Sequence, residues 1–120
     1  MAGGISIHVV DVSRGVPASG MRVELFRLDA GRPMPIGAGV VNESGLLPLP
    51  SSIAASPQPA GLYEAVFHVG PFYRARGEAL PTPAFIEQST FRFGIADPAQ
   101  HYHLPLKVTP WGYSLFRGGA

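Results

Sequence analysis

Apolar and polar residues alternate from the first stretch that has any pattern. Ile5, Ile7 and Val9 take one parity, and Ser6, His8 and Val10 take the other. A period of two predicts a strand that buries the isoleucines and turns Ser6, His8 and Val10 to the opposite face. "SRGVPASG" (13–20) reads as a turn, and "MRVELFRL" (21–28) as a second strand with Met21, Val23 and Leu25 inward. "DAGRPMP" is a turn cluster leading to a strand at Ile36 to Val41, and "NESG" (42–45) is a turn on its Asn and Gly. "LPLPSSIAASPQPAG" reads as a loop. "LYEAVFHV" (62–69) predicts a strand with Tyr63, Ala65, Phe67 and Val69 inward. "FYRARGEAL" is the one helical segment, about two turns long. "STFRFGI" (89–95), His103 to Thr109 and Gly112 to Arg117 complete the strands. Seven or so short strands with one short helix predict an all-β fold, an antiparallel β-sandwich.

Composition narrows the reading. With 120 residues the chain fits a single domain, 1–120, able to bury roughly two-thirds of its unfolded surface. Fifteen glycines and 13 prolines could signal low complexity, but they lie between alternating apolar runs in a chain that is 46% hydrophobic. They therefore act as punctuation between strands. Without cysteine there is neither a disulfide framework nor a thiolate metal site, which is compatible with a reducing, cytoplasmic setting. The net charge of +1 comes from scattered basic residues, which argues against nucleic acid as a partner. No segment approaches a membrane span or a signal sequence, so no membrane partner is expected.

Alternation also sorts the residues that could carry chemistry. In the penultimate strand Tyr102, Leu104, Leu106 and Val108 form the natural core face. His103, Pro105, Lys107 and Thr109 then point away from it, and His8 does the same in the first strand. Two imidazoles on off-core faces could supply a general base, because neutral imidazole takes a proton from water near pH 7. The competing reading is a pair of solvated or hydrogen-bonded side chains. His101 and His103 could chelate a metal, but no carboxylate or cysteine stands near them in sequence, so no metal is expected. No GxSxG and no phosphate loop is present.

"ISIHVVDVSRGVPASGMRVELFRL", "NESG", "LYEAVFHVGPFY" and the closing "HYHLPLKVTPWGYSLFRGG" resemble the transthyretin-related family, whose enzymatic members are the 5-hydroxyisourate hydrolases. The resemblance covers essentially the whole chain. It implies a transthyretin-like sandwich of seven to eight strands, a homotetramer (dimer of dimers) with sites along a central channel, and ring-opening hydrolysis within purine metabolism. No cofactor is implied. The family's two histidines fall on His8 and His103 as catalytic residues, with Lys107, Arg117, Ser114, Leu46 and Gly119 at substrate-binding positions.

The chain departs from the family pattern in several places. Leu46 follows the turn glycine where the hydrolases have arginine, and an isobutyl group replaces neither the charge nor the donors of a guanidinium. The terminal Tyr-Arg-Gly-Ser reads Phe116-Arg117-Gly118-Gly119, followed by an extra Ala120, and Lys107 stands where leucine is usual. The expectation is therefore a hydrolase-like enzyme whose histidines act on a small polar heterocycle with altered substrate specificity. The alternative is a non-catalytic, transthyretin-like small-molecule binding protein.

Overall fold

The computed structural model describes residues 3–119, so the extra Ala120 lies outside the described residues. The strands are β1 (Ile5–Asp11), β2 (Val16–Pro17), β3 (Arg22–Asp29), β4 (Arg32–Val40), β5 (Gly61–Phe67), β6 (Ser89–Ile95), β7 (Tyr102–Thr109) and β8 (Gly112–Leu115). Two helices, α1 (Ser51–Ala54) and α2 (Val69–Ala75), lie between them in sequence. The strands form two four-stranded sheets, ordered β2-β1-β7-β8 and β4-β3-β5-β6. This is the expected sandwich. One pairing departs from antiparallel: β1 and β7 run parallel through the middle of the first sheet.

The alternation in β1 and β7 holds residue by residue. Ile5, Ile7 and Val9 are fully buried and meet Leu104, Leu106 and Val108 in one apolar layer. Val23, Leu25, Tyr63, Ala65 and Phe67 from the second sheet close the core from the other side. Each Val, Leu, Ile or Phe among them contributes about 1.5–3 kcal/mol when it leaves water, which locks the register and hence the outward parity. Asp11, at the end of β1, is buried too. Its Oδ1 accepts hydrogen bonds from Ser13 and from the Tyr73 hydroxyl of α2, so the helix is tied to the first sheet.

Four elements differ from the pattern reading, the first being β2, a two-residue strand paired to the end of β1 inside the stretch 13–20 read as a turn. The strand expected from Ile36 begins at Arg32, because Ala30 and Gly31 alone make the hairpin, both at positive φ. Pro33 and Pro35 are tolerated since β4 is an edge strand, where a missing N–H breaks no inner ladder. The loop after Leu47 contains α1, one turn that buries Ile53. The helix expected at 72–80 runs instead from Val69 to Ala75 and buries Val69, Gly70, Phe72 and Tyr73. Pro71 falls in its first turn, where no intrahelical donor is lost. No helix among the described residues is long and apolar enough to cross a membrane.

Candidate active site

The off-core face of the β2-β1-β7-β8 sheet gathers the candidate residues into rows. The parallel register sets Ser6 beside His103, His8 beside Pro105 and Val10 beside Lys107. Antiparallel pairing then sets Lys107 beside Ser114 on β8. On the other flank of β1, Leu46 bridges His8. His8 and His103 are thus diagonal neighbours on adjacent strands, each half-buried, with Leu46, Lys107 and Ser114 exposed around them. Lys107 reaches over the ring of Phe116, its Nζ 5.7 Å from the centroid.

Both histidines are held by specific partners. Nε2 of His8 donates to the Ser44 carbonyl at 2.9 Å, since a carbonyl can only accept, and Nδ1 is left as the basic nitrogen of the neutral ring. The NESG turn that supplies this carbonyl is built by Asn42, whose Oδ1 accepts from the backbone N–H groups of Ser44 and Leu46 and from the Ser44 hydroxyl. The chain beyond it runs along β1 through Val9 N–H to Gly45 O (2.8 Å) and Leu47 N–H to Ile7 O (3.0 Å). Gly45 has φ +89° and lies against His8, so only glycine suits the position.

On His103, Nδ1 lies 2.7 Å from the Ser6 hydroxyl, which also lies 2.7 Å from Nε2 of His101. Nε2 is the His103 nitrogen left open. Gly118 N–H donates to the His103 carbonyl at 2.8 Å, and a Cβ on Gly118 would come within 2.7 Å of the His103 ring. The tail therefore closes over that ring. Burial lowers the His103 pKa below its ordinary 6.5, and repulsion from His8 and His101 lowers it further. The neutral, proton-accepting form is favoured.

Not every candidate joins this cluster. Arg117 turns to the other side of the tail, donates to Gln100 Oε1 and the His101 carbonyl, and stacks on Tyr102 at 4.0 Å. There it lines a cleft of about 220 Å³ with Phe91, Phe93 and Leu104. Gly119 is exposed beyond Gly118. Ser6 and His101 are the participants that pattern reading did not single out as a pair. Their parity was readable, but their convergence on His103 depends on the β1–β7 register. Among the described residues no group of three His, Cys, Asp or Glu side chains is placed to hold a metal ion.

The sequence model of the HIUase/Transthyretin family matches residues 5–118. The chain belongs to this family. It is 41% identical over 116 residues to a 5-hydroxyisourate hydrolase of Ralstonia nicotianae, covering 97% of this chain and 98% of that protein. It is 40% identical over 116 residues to one from Pseudomonas aeruginosa, covering 97% and 91%. Among solved structures, 5-hydroxyisourate hydrolase from Klebsiella pneumoniae superimposes with a TM-score of 0.79 at 28% identity, covering 98% of this chain and 94% of that one. (S)-Allantoin synthase superimposes with a TM-score of 0.86 at 34% identity; the chain is covered to 98% but spans only 44% of that protein. The HIUase/Transthyretin fold thus accounts for both sheets.

Proposed function

We propose that this HIUase/Transthyretin chain is a hydrolase of the 5-hydroxyisourate type that opens a small, polar, nitrogen-containing ring. The observation that carries the reading is the placement of two histidines on one open face, each with one ring nitrogen held by a protein group. Nε2 of His103 takes a proton from water, the water oxygen bonds to a ring carbonyl carbon, and the C–N bond breaks as the departing nitrogen receives a proton. His8 presents its unprotonated Nδ1 to the same face, and Lys107 supplies positive charge where the carbonyl oxygen becomes negative. Ser114, beside Lys107, offers a hydroxyl to the substrate. Arg117 and Gly119 act on substrate only through the tail that holds Gly118 against His103.

Leu46 shapes the specificity. It stands beside His8 where the hydrolase pattern has arginine, so the site holds carbonyl and amide edges with fewer donors. The substrate is accordingly 5-hydroxyisourate handled less efficiently, or a related cyclic amide. Leu46, 44% exposed, and Phe116, 47% exposed, also favour a second reading, a site that binds an apolar small molecule without turning it over. The edge strands β6 and β8 and the half-exposed apolar face support assembly as a homotetramer.

The test is the ultraviolet decay of freshly generated 5-hydroxyisourate. Wild-type protein accelerates it, and His103→Ala loses at least about a hundredfold in kcat. Leu46→Arg raises kcat/KM for this substrate by about tenfold or more. Equal turnover by wild type and His103→Ala on every cyclic amide tried would sink the enzymatic reading.

A further inference from the structure

We propose that Ser6 and His101 form a relay behind His103: they position it with the proton on Nδ1 and the lone pair of Nε2 on the open face, and they carry charge away from it during turnover. The inference rests on the reading of His103 as the base, and extends it to two residues that never touch substrate.

The direction of the relay is set from its far end. Nδ1 of His101 lies 2.9 Å from the carbonyl of Gly3. A carbonyl only accepts, so this nitrogen carries the hydrogen. With the ring neutral, Nε2 of His101 is a lone pair, and the Ser6 hydroxyl 2.7 Å away donates to it. The hydroxyl has a single proton. Once that proton is committed, Ser6 Oγ can only accept from His103, also at 2.7 Å, so Nδ1 of His103 carries a hydrogen and Nε2 does not. One backbone carbonyl thereby fixes the tautomer of a ring three groups away.

The carbonyl itself is anchored. Gly3 and Gly4 have φ of +100° and +97° and are buried against Pro57 and Ala54, where a side chain would not fit. The Gly4 carbonyl accepts from Tyr102 N–H at 2.9 Å, which joins the segment to the residue between the two histidines. Ser6 and His103 face each other in the parallel ladder, so the hydroxyl cannot drift without breaking the β1–β7 register.

The same three groups can move a proton. As His103 Nε2 takes a proton from the attacking water, its Nδ1–H passes to Ser6 Oγ while the Ser6 proton passes to His101 Nε2. Three bonds to hydrogen break and three form. The positive charge comes to rest on His101, balanced by the hydroxide that adds to the ring, and the reverse transfer returns a proton to the departing nitrogen. The Lys107 ammonium shares the open face with His103, and His101 lies two residues farther from it along the chain, so a charge relocated to His101 is shifted away from that cation.

The test combines ¹⁵N NMR of the imidazole nitrogens in the full chain with steady-state kinetics. In the wild type, His103 is expected with hydrogen on Nδ1 and a lone pair on Nε2. Ser6→Ala is expected to abolish that preference and lower kcat by about tenfold or more while KM stays within about twofold; Ser6→Thr, which keeps the hydroxyl, is expected to restore both. His101→Phe removes the acceptor without altering Ser6 and should lose the same tautomer. A wild-type His103 carrying its hydrogen on Nε2, or a Ser6→Ala variant with wild-type kcat, overturns the relay. These outcomes stand apart from the catalytic reading, because an active His103→Ala variant would refute the base while the tautomer still reports on the relay.

Discussion

His103 illustrates how much a single side chain draws from its surroundings. Its pKa falls below 6.5 because burial disfavours the imidazolium and because His8 and His101 repel a charge placed there. Lys107 lies on the same face, four residues along β7. If the neutral ring is the base, the acid limb of the kcat/KM profile lies below pH 6.5. Stability follows the same sign. The unfolded chain binds this proton near 6.5 and the folded chain only at lower pH, so the contribution is complete above 6.5 and is lost as pH falls toward the folded value. Thermal midpoints measured from pH 7.5 to 5 should fall less in His103→Asn than in the wild type. An equal fall in both would remove His103 as the cause.

At the scale of elements, the NESG turn and the β1–β7 ladder divide the work of holding the two histidines. Asn42 Oδ1 gathers three donors, and the turn it closes delivers the Ser44 carbonyl to His8. Asn42→Ala leaves those donors to water and should cost about 1–3 kcal/mol in urea unfolding, with a loss of activity larger than the stability loss explains. A wild-type kcat in that variant would mean that His8 needs no such support. The turn was legible because Asn and Gly have few other uses between apolar runs, and β1 and β7 because a strand with one buried face declares its parity. The start of β4 was hidden by two prolines that signal a turn but are harmless on an edge. The start of α2 was hidden because its buried Val69 continues the alternation of β5 for one more step. Ser6 and His101 gave up their face but not their partnership: register across a parallel pair joins residues 95 and 97 apart in sequence, and no local pattern encodes it. Arg117 lies beyond the last ladder contact of β8, so alternation could not say which way it turns.

At the scale of the whole molecule, the first sheet shows solvent a partly apolar row. Leu46, His8 and Pro105 cross its outer face, with Lys107 and Ser114 in the next row and the Phe116 ring beneath the Lys107 ammonium. Roughly half of Leu46 and Phe116 is in water, and covering such surface yields about 25 cal/mol per Å². A homotetramer that lays this face against its copy would bury the apolar row, dry the histidines and strengthen each charge interaction the proposed chemistry needs. The double variant Leu46→Glu, Phe116→Glu puts like charges on both sides of such a contact. Light scattering coupled to size exclusion should then show a tetrameric wild type and a smaller assembly in the variant, while circular dichroism remains that of the folded sandwich and ring opening falls with the assembly. A wild-type chain that is monomeric at micromolar concentration, yet fully active, would show that one subunit carries the whole site and that the row serves some purpose other than self-association.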